Sequence, residues 1–139
     1  MATLHVLRVF VNEEGEFGNP LGVFLDGAEI PAGRRQGIAA ELGYSETVFV
    51  DDAATGSIRI FTPGAELAFA GHPTVGTGWL LRDLGLGGSI LRCPAGDVAT
   101  WQDGDLSWIR ARPEWIHPIT RAQLPSPAAV DALTGPPPG

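Results

Sequence analysis

The sequence is poor in the features that mark several specialised classes of protein. It contains a single cysteine, Cys93, so no internal disulfide can form, and no cysteine–histidine cluster has the spacing of a zinc site. No stretch approaches the roughly 18 apolar residues of a membrane span, and the first residues do not resemble a secretion signal. We therefore expect a cytoplasmic protein that holds no metal and has no membrane partner.

Positive charge is also scarce. Nine lysine and arginine residues stand against sixteen aspartate and glutamate residues, which gives a formal net charge of −7 at pH 7. Such a surface repels phosphate backbones, so nucleic acid is not an expected partner. Hydrophobic residues make up 44% of the 139 residues and charged residues 18%, which is typical of a folded chain with one hydrophobic core.

Short apolar segments separated by turn residues predict a protein with many strands and two helices. One helix is predicted to open at Ile30-Pro31-Ala32, with the proline near its first position, and to end at Gly43 in a left-handed cap, and a second covers Pro73–Arg82. The predicted strands are Leu4–Val11, Leu21–Leu25, Thr47–Val50, Ser57–Phe61, Glu66–Phe69, Ile90–Arg92, Val98–Gln102 and Leu106–Ala111.

The helix over Pro73–Arg82 is apolar or small on nearly every side, so we expect it to be buried. Gly76 and Gly78 lower its helix propensity, which predicts a close approach by neighbouring backbone at those positions. These features together predict an α+β fold of mostly antiparallel strands wrapped around a buried central helix. Residues 1–118 are predicted to form this unit, and residues 119–139, rich in proline and alanine, a linker or tail.

Three short blocks of sequence stand out along the chain. They are Phe17-Gly18-Asn19-Pro20, Ser45-Glu46-Thr47-Val48-Phe49-Val50 and Phe69-Ala70-Gly71-His72-Pro73-Thr74. In their order and spacing they resemble the amino-terminal lobe of the PhzF-like isomerase family of phenazine biosynthesis, which has the diaminopimelate epimerase fold. The resemblance runs from about Leu4 to His117, and it implies a cofactor-independent isomerase that moves a proton on a small carboxylated metabolite.

The resemblance also implies roles for two residues. In the family, the glutamate of the second block moves the substrate proton, which would make Glu46 the acid/base residue here. The histidine of the third block lines the active site and assists binding or proton transfer, a role that would fall to His72. From the residues alone, Glu46 is either a solvated glutamate at a strand start or a carboxylate that faces a cleft, and His72 is either a helix cap or a site residue.

The start of the second helix is a further candidate site. Its free backbone N–H groups and the positive end of its dipole suit a substrate carboxylate. The proline of the block has no N–H, so the expected donors are the amides of His72, Thr74 and Val75. The resemblance adds Gly71 to the residues that line the site. Asn19 either shapes the turn beside the cleft or contacts the substrate directly.

The sequence also departs from the family pattern. Full-length relatives have two similar lobes, and the second carries a DPVTGSA-like block that faces the first helix start; this sequence lacks that block. Arg8 stands where relatives commonly have an aspartate. The resemblance therefore implies a cleft completed by a homodimer or by a separately encoded second lobe. The alternative function is a non-catalytic lobe that binds a small acidic ligand, or a subunit that completes a partner protein.

Overall fold

The structure of the chain is a computed structural model that describes residues 2–116, 118–119 and 121–135. Its helices are α1 (Ala32–Leu42), α2 (Gly71–Asp83) and α3 (Pro127–Asp131), with short 3-10 turns at Gly27–Glu29 and Pro113–Trp115. Its strands are β1 (Leu4–Val11), β2 (Phe17–Phe24), β3 (Glu46–Asp52), β4 (Ser57–Phe61), β5 (Glu66–Leu67), β6 (Ile90–Cys93), β7 (Gly96–Asp103) and β8 (Leu106–Arg110).

The strands form one curled sheet in the order β1-β2-β3-β4-β6-β7-β8, with β5 paired to β4 beside this path. The neighbours β2 and β3 run parallel, as do β4 and β6, where Ser57 pairs with Arg92. The other pairs are antiparallel. Helix α2 packs against strands from both halves of the sheet, from β1 to β8. The structure therefore confirms the predicted α+β fold, with mostly antiparallel strands around a central helix.

Two hydrophobic cores lie on opposite faces of the central strands. Side chains alternate between the two faces of a strand, so every second residue points toward α2. On that face Val48, Val50 and their neighbours pack against Leu80 and Leu81 of α2. On the other face three phenylalanines pack together beside α1 and form the second core. The buried residues of this core are Phe24, Ile30, Ala39, Phe49 and Phe61. The α2 face is the one that positions the candidate site.

The glycines of α2 allow close packing, although not by the predicted contact. A Cβ atom added at Gly76 would lie 2.6 Å from Leu21 Cδ2 and 2.9 Å from Val9 Cγ2. One added at Gly78 would lie 2.9 Å from Thr100 Oγ1. The prediction of a close approach by backbone was wrong in this detail, because side chains of the sheet fill the space that the missing Cβ atoms leave.

Several element boundaries differ from the sequence prediction, and two of these differences lie at the candidate site. Strand β2 begins at Phe17, because the GNP block, which we expected to be a turn, already pairs with β1. Helix α2 begins at Gly71 rather than at Pro73, since Ala70 is extended (φ −151°, ψ 139°) and serves as the N-cap. Pro73 is thus the third helical residue, where its missing N–H costs nothing. The left-handed cap predicted at Gly43 is confirmed, with φ 71°.

The segment beyond residue 113 is only partly packed. The ring centroids of Trp115 and Phe69 are 5.2 Å apart, so the chain is attached to the lobe at that point. Farther on, Ser126 Oγ accepts a hydrogen bond from the Ala129 amide and caps α3, which has no buried residue. A linker or tail over 119–139 stays a prediction, and His117, where the family resemblance ends, lies outside the described residues.

The packing of α2 yields a stability prediction. Gly76→Ala should lower the free energy of unfolding by about 1–3 kcal/mol, because the added methyl group overlaps Leu21 and Val9 despite the better helix propensity of alanine. Gly37→Ala is the matched control, since an added Cβ there meets nothing within 4 Å, and it should be neutral or stabilising by up to about 1 kcal/mol. Urea unfolding of both variants measures the difference, and equal effects would contradict the packing account.

Candidate active site

The position of Glu46 follows from the alternation of β3. Val48 and Val50 face the core under α2, so Glu46, two residues before Val48, lies on the same face. Strand β2 runs parallel to β3, and its residue Leu21 pairs with Glu46. Asn19, two residues before Leu21, therefore lies on the same face of the sheet. A carboxylate and an amide are thereby brought to one end of the sheet, facing the start of α2.

His72 lies in the first turn of α2 and meets this carboxylate. Its Nδ1 atom is 2.7 Å from Glu46 Oε2, and its Nε2 atom is 3.2 Å from the backbone oxygen of Asn19. The two side chains are 10% and 17% exposed, so the contact is largely screened from water. The structure thus brings together Glu46, His72 and Asn19, three of the residues that the sequence analysis singled out.

Ser45 extends the contact into a chain of hydrogen bonds. The Asn19 side-chain amide donates to Ser45 Oγ at 3.0 Å, and Ser45 donates its single hydroxyl proton to Glu46 Oε2 at 2.6 Å. An amide NH₂ can only donate, so the direction of the chain is fixed toward the carboxylate. Asn19 lies in β2 and holds Ser45, whereas a direct contact between Asn19 and a substrate stays a prediction. Ser45 lies beside the pair, and sequence reasoning missed it although it precedes Glu46 directly.

The same geometry defines where the protons lie. A backbone carbonyl only accepts, so His72 Nε2 must carry a hydrogen to bond Asn19. A second proton is then shared between His72 Nδ1 and Glu46 Oε2, either as an ion pair or as a neutral pair. Oε2 is occupied by Ser45 and His72, whereas no described residue donates to Oε1. One carboxylate oxygen is held in place and the other is available for chemistry.

The amides at the start of α2 are not all those that the sequence predicted. Since the helix begins at Gly71, the free N–H groups are those of Gly71 and His72, and the Ala70 cap supplies no side-chain acceptor. Thr74 is fully buried and its hydroxyl donates to the Ala70 carbonyl at 2.6 Å. Its amide lies where the first intrahelical hydrogen bond to the N-cap forms. The amides of Thr74 and Val75 lie beyond the first three helical residues, and their use as donors to a substrate stays a prediction.

Val75 lies at a hollow next to the acid/base pair. That hollow has a volume of about 550 Å³ and is lined by residues of β1, α2 and the start of β8, Val75 and Phe10 among them. Neither Glu46 nor His72 lines it, but the ring centroids of Phe10 and His72 are 5.8 Å apart, so the hollow adjoins the pair. A role of Val75 in substrate binding stays a prediction.

The described part of the chain contains neither a group of metal ligands nor a membrane-spanning helix. Across residues 2–116, 118–119 and 121–135, no three histidine, cysteine, aspartate or glutamate side chains are grouped as metal ligands would be. In the same part of the chain, no helix combines the length and hydrophobicity that crossing a bilayer requires. The buried thiol of Cys93 donates to the Gly96 carbonyl at 3.2 Å and is not near the pair.

Comparison with known proteins assigns the family. The model of the family described as phenazine biosynthesis-like protein matches residues 7–129. The chain belongs to this family. A Pseudomonas fluorescens member, named trans-2,3-dihydro-3-hydroxyanthranilate isomerase, is 49% identical over 63 residues, which are 43% of this chain and 23% of that protein. Antisense-enhancing sequence 1 of Schizosaccharomyces pombe is 40% identical over 108 residues, 71% of this chain and 36% of that protein.

Solved structures of the phenazine biosynthesis-like family have the same fold. The Bacillus anthracis PhzF-family protein superposes with a TM-score of 0.63 at 30% identity, covering 76% of this chain and 38% of that one. A Pseudomonas aeruginosa protein described as a predicted epimerase gives a TM-score of 0.61 at 31% identity, covering 78% and 42%. The chain therefore spans less than half the length of these relatives, and it corresponds to one lobe of the epimerase-like fold.

The hydrogen bonds of His72 lead to a spectroscopic prediction. In long-range ¹H–¹⁵N spectra of the labelled protein, His72 should carry a hydrogen on Nε2, because that atom faces the Asn19 carbonyl at 3.2 Å. His5 on β1 is the internal control, since its ring makes no hydrogen bond to a described residue and should average between tautomers. A neutral His72 protonated on Nδ1 alone would contradict the geometry.

Proposed function

We propose that this chain is one lobe of a cofactor-independent isomerase that abstracts a proton from a small carboxylated metabolite and returns it elsewhere. The observation that carries the proposal is the 2.7 Å contact between Glu46 and His72 beside the free amides of α2. The carboxylate of Glu46, the imidazole of His72 and a helix start suited to anions lie next to one another. Relatives named as isomerases support the same reaction class.

Each group has a distinct role in the proposed reaction. The amides of Gly71 and His72, at the positive end of the α2 dipole, hold the substrate carboxylate. Glu46 Oε1 takes a proton from the carbon, the electron pair of the broken C–H bond moves into the adjacent unsaturated system, and the proton returns at another carbon. The proton shared between His72 Nδ1 and Glu46 Oε2 can move toward either atom. The contact with His72 therefore stabilises Glu46 both before and after it takes the substrate proton.

A substitution at Glu46 tests this role. Glu46→Gln keeps the shape of the side chain but cannot accept a proton, so it should lower turnover by about 10²–10⁴-fold while ligand affinity is retained. Glu41→Gln, the same change at an exposed position of α1, is the matched control and should leave turnover unchanged. The assay is deuterium incorporation from D₂O during isomerisation of trans-2,3-dihydro-3-hydroxyanthranilate, the compound in the names of several relatives.

The same pair of variants distinguishes the alternative function. The chain covers 38–42% of solved relatives, and a lobe that only binds a small acidic ligand is the second candidate. For a binding lobe, neither Glu46→Gln nor Glu41→Gln would change deuterium incorporation, because there would be none. Ligand affinity would be the only measurable property, and it would depend on the α2 amides.

The proposal includes completion of the cleft by a second copy. A homodimer would bring two α2 starts and two Glu46 side chains to one cavity, in place of the two lobes of a longer chain. We expect light scattering to show a dimer at micromolar concentration and specific activity to fall on dilution through the dissociation range. A stable monomer under those conditions would contradict homodimer formation, and co-purification with a different chain would favour a separately encoded second lobe.

A further inference from the structure

Two phenylalanines have an unusual backbone conformation near the site. Phe10 (φ 64°) and Phe17 (φ 63°) are the non-glycine residues with positive φ in the part of the chain that the structure describes. A bulky side chain disfavours this left-handed region, and such strain persists where the surroundings enforce it, often at functional sites. Both rings are largely exposed, at 72% and 76%, so burial of the rings does not offset the strain.

The left-handed conformation redirects the Phe10 side chain. In β1, Val9 faces the α2 core and pairs with Asn19, while Val11 pairs with Phe17. Phe10 lies between them, so regular alternation would turn its ring to the opposite face of the sheet. Instead, the Phe10 and His72 ring centroids are 5.8 Å apart with an interplanar angle of 35°. The local distortion of the strand therefore brings an exposed ring to the acid/base pair, as irregular strand residues beside active sites do.

The position of the ring suggests what it contacts. Phe10 is 72% exposed although its ring lies against His72, and aromatic rings stack on planar groups at centroid separations of about 4.5–7 Å. We propose that Phe10 is a specificity-determining residue whose ring forms one wall of the substrate position and selects planar, unsaturated carboxylates over saturated ones. This inference rests on the proposed function for the placement of the carboxylate at the α2 amides. An unsaturated substrate is also what the proton transfer requires, since the electron pair needs a conjugated system to enter.

Phe17 supplies a matched control within the same hairpin. It has the same side chain, nearly the same φ and nearly the same exposure as Phe10. Its ring makes no aromatic contact with a described residue, whereas that of Phe10 lies against His72. Replacing either residue by glycine relieves the same strain, because glycine adopts positive φ freely. A difference in ligand binding between the two variants thus reports on the ring of Phe10 and not on the backbone.

The experiment compares Phe10→Gly, Phe17→Gly and wild type. Binding of benzoate and of cyclohexanecarboxylate, which share a carboxylate but differ in planarity, is followed by NMR titration of the His72 ring signals. We expect Phe10→Gly to weaken benzoate binding about three- to tenfold, with cyclohexanecarboxylate little changed, and Phe17→Gly to change neither. Neither variant should melt below wild type, because strain relief offsets the greater backbone freedom of glycine. Phe10→Leu, which keeps an apolar side chain without a flat face, should also lose the preference for benzoate.

Several results would overturn the inference. They are benzoate binding that Phe10→Gly and Phe10→Leu leave unchanged, a wild-type protein that does not prefer benzoate, and a melting temperature that falls in Phe10→Gly but not in Phe17→Gly. A change of oligomeric state without a change in affinity would assign the ring to a subunit contact instead. These binding readouts do not need turnover. No deuterium incorporation together with a benzoate preference that depends on Phe10 would therefore reject the isomerase and keep the inference. Deuterium incorporation without such a preference would keep the isomerase and reject the inference.

Discussion

The contact of Gly76 with Leu21 and Val9 is the constraint on which the rest of this lobe depends. Without a Cβ atom at Gly76, helix α2 lies directly on the sheet, at the level where Leu21 pairs with Glu46 in the neighbouring strand. One residue, Leu21, therefore sets both the depth of the helix and the register of the strand that carries the carboxylate. Because His72 is one helical turn before Gly76, its ring can reach Glu46 only when the helix lies this close.

The polar groups of the site depend on the apolar packing around them. A carboxylate and an imidazole that are largely removed from water require partners, and the chain from Asn19 through Ser45 to Glu46 supplies donors in a fixed direction. This arrangement occupies one carboxylate oxygen with two partners and leaves the other without a donor among the described residues. The asymmetry between the two oxygens results from the placement of β2 beside β3, which joins residues 26 positions apart in sequence.

Local sequence signals predicted what local interactions determine. The bounds of β1 and β4, the left-handed cap at Gly43 and the burial of α2 follow from residue type, periodicity and turn chemistry, and the structure confirms them. The proximity of Glu46 and His72 came from the family resemblance, because nothing in their spacing fixes a contact between residues so far apart. The start of α2, the burial of Thr74 and the role of Ser45 depend on strand register and helix docking. The left-handed backbone of Phe10 has no signal at all in its residue type, since phenylalanine disfavours it.

The parallel pairing of β4 with β6 has a consequence for how the lobe forms. Ser57 and Arg92 meet across a crossover that contains all of α2, and parallel strands cannot be joined by a short turn. The two halves of the sheet are therefore joined along the chain through α2, and closing the sheet brings together residues that are far apart in sequence. Such long-range contacts slow folding relative to local hairpins.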